Sequence, residues 1–144
     1  MAGIQNEKLQ AVLQDAFQRA QPGGVVAAFL FGSHARGTAQ RDSDVDVAVL
    51  FDRRRFPDRR ARFAARLQLT GWVISETHCN EVDLVVLNDA PPLLARHVVT
   101  KGARLYCADE AAMHGFYRDA LLRAADIAPF LDRMARIKLA ALAR

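Results

Sequence analysis

Phe31-Gly32-Ser33-His34-Ala35-Arg36-Gly37, followed by Ser43-Asp44-Val45-Asp46-Val47, decides how this chain is read. The glycine–serine pair closes one apolar run, Val25 to Phe31, and the aspartate pair opens the next, Val45 to Phe51. Successive side chains of a strand point to opposite faces, so Asp44, Asp46, Ala48 and Leu50 share one face. Val45, Val47, Val49 and Phe51 then make the opposite, core face. Two neighbouring carboxylates on a sheet repel each other unless a cation lies between them. Carboxylate oxygens suit hard divalent ions such as Mg²⁺, which keep several waters and also bind substrate phosphates. A Gly-Ser turn lets backbone N–H groups approach a phosphate closely. Ser33 also fits the N-cap of a brief helical stretch ending near Gly37, with its free N–H donors turned to an anion. The residue types and their order point to a site for a metal ion and a triphosphate.

Around this stretch the hydrophobic period alternates between helix and strand. Ile4 to Ala20 reads as an amphipathic helix with Leu9, Val12, Leu13, Ala16 and Phe17 on one side, stopped by Gln21-Pro22-Gly23-Gly24. Val25–Phe31 reads as a buried strand. A helix is expected from Pro57 to about Glu76, then a third strand from Glu81 to Leu87. Asn88-Asp89-Ala90-Pro91-Pro92 reads as a turn with a proline suited to the first turn of a following helix, Leu93 to Lys101. Gly102 fits that helix's C-terminal stop, and Ala103 to Cys107 a short last strand. From Ala111 onward the pattern is helical, in two pieces, because Pro129 removes a donor and disfavours helical geometry at Ala128. Phe116, Ala120, Ala124 and Ile127 form a packing face there, which could also receive a partner helix. Strands alternating with helices predict an α/β domain. No linker or repeat divides the chain, so one domain over residues 1–144 is expected, with a core at 25–107 and a helical C-terminal region at 109–142.

Composition removes several function classes. At 144 residues, half of them apolar, the chain can bury one core. No apolar segment approaches a membrane span and the N-terminus lacks a secretory pattern, so a cytoplasmic location is expected. Cys79 and Cys107 are too few for a disulfide framework or a cysteine zinc site. The net charge of +4 is concentrated in Arg53-Arg54-Arg55 and Arg59-Arg60. Arg59, Arg62 and Arg66 recur at helical spacing opposite Phe63 and Leu67, which reads as a solvated helix face. Without interleaved aromatic residues to stack bases, direct nucleic-acid binding is not supported. His34, His78, His97 and His114 are scattered without ligand spacing.

Gly32-Ser33, ten residues, then Asp44-Val45-Asp46 resembles the signature of the nucleotidyltransferase superfamily that includes DNA polymerase β. Gly32-Ser33-His34-Ala35-Arg36-Gly37 leading to Ser43-Asp44-Val45-Asp46 is more specifically similar to the minimal nucleotidyltransferases, the short antitoxins paired with HEPN-domain toxins. The resemblance extends to Asp83 in Glu81-Val82-Asp83-Leu84-Val85-Val86-Leu87 and to Gly102-Ala103-Arg104-Leu105-Tyr106. It implies a nucleotidyltransferase fold, α/β or α+β by some schemes, with a small mixed sheet flanked by helices. It further implies a Mg-dependent enzyme that moves AMP from ATP to a tyrosine of a cognate HEPN ribonuclease toxin and so acts as antitoxin. Two Mg²⁺ ions are implied, with Mn²⁺ as an alternative.

By the same resemblance Asp44, Asp46 and Asp83 are the catalytic and metal-binding residues. Spacing alone allows Glu81 as well as Asp83, since both share a strand face; the motif selects Asp83 and leaves Glu81 a solvated strand end. Gly32 and Ser33 would hold the leaving phosphates, Arg36 would offset phosphate charge, and Ser43 would order the turn before Asp44. Two rivals remain: an antitoxin that neutralises its toxin by binding alone, and a transferase acting on a small molecule such as an antibiotic. Oligomeric state, with itself or with the toxin, is left open.

Overall fold

The computed structural model describes residues 2–32 and 44–142. Chain order is helix α1 (Ala2–Ala20), strands β1 (Val25–Phe31) and β2 (Val45–Phe51), helix α2 (Arg59–Thr77) and strand β3 (Val82–Val86). A 3₁₀ turn over Leu87–Asp89, helix α3 (Pro92–Lys101), strand β4 (Ala103–Cys107) and helix α4 (Glu110–Leu142) follow. The strands form a mixed sheet in the order β3-β2-β1-β4. β1 is antiparallel to both β2 and β4, while β2 and β3 run parallel. A parallel neighbour needs a crossover, and α2 is that crossover. The mixed sheet flanked by helices is the architecture the nucleotidyltransferase resemblance implies.

Local chemistry sets the boundaries. Asp58 caps α2 by accepting a hydrogen bond from the Ala61 amide at 2.8 Å, which ties down one of the donors a helix N-terminus leaves free. Pro92 sits in the first turn of α3, where its missing N–H costs nothing. At the far end of β2, the Asn88 side chain accepts from the Phe51 amide at 2.9 Å and donates to the Phe51 carbonyl at 3.0 Å. That pair of bonds fixes the turn after β3 to the end of β2.

Both faces of the sheet are buried: the core face expected on β2 is observed, and the opposite face is covered as well. Val45, Val47, Val49 and Phe51 join Leu13 and Phe17 of α1 and Leu69 and Val73 of α2 in one cluster. Ala48 and Leu50 face the other way, against Leu87, Val98 of α3 and Met113 of α4. The polar-looking face begins with aspartates but becomes a second core two residues later, because α3 and α4 cover it. In β1 the register shifts between Val25 and Ala27, so Val26 is an additional residue and Val26 and Ala27 both reach the second cluster. Phe17 meets Trp72 edge-on at 5.0 Å and stacks on Tyr106 at 5.8 Å, joining α1, α2 and β4.

Two expectations are corrected. α4 continues unbroken through Pro129 instead of dividing near Ala128. Proline removes one intrahelical bond, a loss the helix tolerates where solvent can satisfy the freed carbonyl; Pro129 is exposed. On α2 the expected solvated face holds for Arg59 and Arg66 but not for Arg62, and the side opposite it is itself exposed. Phe63 and Leu67 are 55% and 58% exposed, whereas Arg62 is buried at 9%. The guanidinium of Arg62 donates to both Asp89 oxygens at 3.0 and 2.9 Å and to the Phe56 carbonyl at 3.0 Å. A buried charge is tolerated when it is paired and hydrogen-bonded. Periodicity alone could not find a partner 27 residues away.

Candidate active site

The aspartates emerge where the second core ends. Asp46 lies across from Phe31 on β1 and, in the parallel register, directly across from Asp83 on β3. Paired residues on neighbouring strands project from the same face about 4.8 Å apart. Asp83 is exposed and Asp46 half-buried, so the pair opens to solvent at the edge of the second core. Asp44 precedes the first residue of β2 and is exposed. The amide of Val45 donates to the Glu81 carbonyl at 2.8 Å, which anchors the start of this register. Glu81 itself precedes β3 and is exposed.

Gly32 closes the third side. Its φ of +73° lies in the left-handed region that side chains disfavour. A Cβ built there would overlap Oδ2 of Asp46. Glycine is therefore required twice, by its own backbone and by the carboxylate packed against it. The motif predicts glycine here for phosphate approach; the contact with Asp46 becomes visible only once β1 and β2 are paired. Ser33, Arg36 and Ser43, together with His34 and the short helix expected after Gly32, lie outside the described residues.

Electrostatically the site is two carboxylates held side by side on one face of the sheet. Arg66 Nη2 stands 4.0 Å from Asp83 Oδ1, with both groups well exposed, so solvent screens much of their attraction. The helical spacing of Arg66 predicts a solvated face of α2 and gives no sign of its place beside Asp83. Among the described residues, no group of three or more His, Cys, Asp or Glu side chains is gathered tightly enough to hold a metal ion. The donor set still fits Mg²⁺, which binds through one or two carboxylates plus waters and substrate phosphates in preference to an all-protein cage. Cys79 and Cys107 are free, and burial pushes the Cys107 thiol up, away from reactivity. Among the described residues no helix is long and apolar enough to cross a membrane.

Comparison with known proteins agrees with this fold. The family model described as polymerase beta, nucleotidyltransferase matches residues 7–111. The protein adenylyltransferase MntA of Shewanella oneidensis is 33% identical over 106 residues, covering 74% of this chain and 68% of its own length. A crystal structure of a toxin–antitoxin with AMP-PNP superposes with a TM-score of 0.63 at 27% identity, covering 88% of this chain and 98% of that one. The toxin–antitoxin MntA-HpeT, in a mutant form with two aspartates two positions apart changed to glutamate, superposes at 0.61 with 26% identity. That match covers 90% of this chain and 98% of the other.

Proposed function

From its membership of the polymerase β nucleotidyltransferase family, to which this chain belongs, we propose that it transfers AMP from ATP to a tyrosine hydroxyl of a cognate HEPN ribonuclease toxin and acts as antitoxin by that transfer. The observation that carries the reading is the register of Asp46 with Asp83, beside a glycine that admits no side chain. The adenylyltransferase name of the Shewanella relative supports AMP as the transferred group, and the neighbour with AMP-PNP supports a nucleoside triphosphate as donor. The altered aspartate pair in the MntA-HpeT complex has the spacing of Asp44 and Asp46.

In this reaction the acceptor oxygen bonds to the α-phosphorus of ATP, the bond to the bridging oxygen breaks, and pyrophosphate leaves with its electrons. The hydroxyl proton passes to a base. Asp83, exposed and on the same face as Asp46, would take it. Asp44 and Asp46 present oxygens at the entrance to β2, where the triphosphate's negative charge must be offset by cations for it to approach. Asp44, Asp46 and Asp83 would hold Mg²⁺, which when bound neutralises charge on the phosphates and makes the acceptor hydroxyl more acidic. The backbone after Gly32 and the hydroxyl of Ser33 would receive the leaving phosphates, with Arg36 adding charge and Ser43 ordering the turn. Phosphoryl chemistry of this type needs positioning and charge neutralisation and no covalent nucleophile, so a Ser-His or Cys-His dyad is not required.

The test combines purified protein, the cognate toxin, Mg²⁺ and ATP labelled on its α-phosphate. Label should appear on one toxin tyrosine and disappear with Asp44→Asn/Asp46→Asn. Equal labelling by that variant would end the enzymatic reading.

A further inference from the structure

The long last helix leaves the body of the molecule. Met113, Ala120 and Ala124 of α4 are buried, whereas every residue from Phe130 to Leu142 is exposed. The exposed part carries an apolar stripe, with Leu131, Leu139 and Leu142 exposed outside it. Ile127, Phe130, Met134, Ile137 and Ala141 follow one another at alternating steps of three and four, so they line one side of the helix. Phe130, Met134 and Ile137 are 54%, 48% and 57% exposed. The stripe continues the buried face of the same helix, because Ala120, Ala124 and Ile127 lie on that side too. A helical segment this short gains little stability from its own backbone in water, and a contiguous apolar patch that its domain does not cover marks an interaction site.

Charge selects the occupant. Between residues 130 and 142, Arg133, Arg136 and Lys138 stand against Asp132 alone. A second copy of the helix would bring the same excess of cations to the contact, and like charges across an interface oppose pairing. A partner whose apolar groove is bordered by carboxylates has no such penalty. We infer that residues 130–142 of α4 are a docking arm for the toxin, seating Phe130, Met134 and Ile137 in an apolar groove rimmed by aspartate and glutamate. This rests on the toxin-directed reading above. A docking contact apart from the carboxylates would hold the acceptor near the site and raise its effective concentration there without demanding affinity from the acceptor tyrosine itself.

Binding is measured by calorimetry between the cognate toxin and this chain carrying Asp44→Asn/Asp46→Asn, so that no transfer is required. Adding Met134→Glu/Ile137→Glu should weaken the complex at least about 100-fold. Met134→Leu should keep it, and circular dichroism should show the same helix content in all three. Equal binding by the glutamate variant would overturn the inference while leaving the transfer reading intact. Two other outcomes would also overturn it. One is a dimer of this chain alone that the glutamates dissociate; the other is retention on phosphatidylserine vesicles that the glutamates abolish. No complex with the toxin at any arm sequence would bring down the toxin-directed reading together with this one.

Discussion

Gly32 carries two constraints that a single methyl group would violate. Its left-handed backbone is worth about 1–2 kcal/mol against any side chain, and the added carbon would displace the Asp46 carboxylate. Gly32→Ala should therefore lower the urea midpoint modestly and cut AMP transfer by at least about 10²-fold, since displacements of an ångström at a reacting group have that effect. A variant that unfolds more easily yet transfers at the original rate would show that Asp46 tolerates the displacement. Asp83 and Glu81 separate in the same assay. Asp83→Asn should cost about 10²-fold or more in rate, while Glu81→Gln, altered before β3 begins, should leave the rate unchanged.

At the scale of elements, the ion pair of Arg62 and Asp89 connects the crossover helix α2 to the turn that follows β3. Its hydrogen bonds to Arg62 hold the Asp89 carboxyl below the ordinary carboxylate range, against the opposing pull of burial. Arg62→Met should destabilise the fold by about 2–3 kcal/mol, less than for a wholly enclosed pair because Asp89 keeps some contact with water. A carboxylate lowered on folding stabilises above its unfolded pKa, and that contribution fades as pH falls through the lower folded value. The gap in urea midpoint between the unaltered chain and Arg62→Met should thus be wide at pH 7 and narrow below about pH 4. A gap independent of pH would assign the loss to packing alone.

Elements themselves were legible wherever a local period or a breaker spoke. β4 falls on Ala103–Cys107 as expected, and α3 and the buried face of α1 differ only at their ends. The neighbourhood of Asp46, Asp83 and Gly32 was legible through motif spacing. What stayed hidden depends on contacts distant in sequence: the burial of Arg62, the exposure of Phe63, the second core over Ala48 and Leu50, and the place of Arg66 beside Asp83. Each is decided by which element lies above a residue, and that information is absent from its own periodicity. Pro129 shows the converse case, a strong local signal overridden because water can satisfy what the ring removes.

For the molecule as a whole, one sheet is shared between two apolar layers, and that ties their stabilities together. Leu84 is buried in the first layer, between Asp83 and Val85, whose backbones carry the parallel pairing with β2. Leu84→Ala should cost about 3 kcal/mol. Trp72 fluorescence, reporting the α1–α2 layer, and far-ultraviolet circular dichroism should still give coincident transitions. Separate midpoints would show that the layers melt independently.

The parallel alignment of β2 with β3 has a consequence for how such a protein can change over time. Because strand side chains alternate, sliding β3 by one position would turn Asp83 into hydrocarbon and push Leu84 out toward water. No half-working version exists between the two alignments. The crossover between the strands can drift at its exposed positions, such as Phe63 and Leu67, while Arg62, Leu69 and Val73 keep it packed on the sheet. Inheritance can rewrite the outer side of that helix, but it must keep count at the strand.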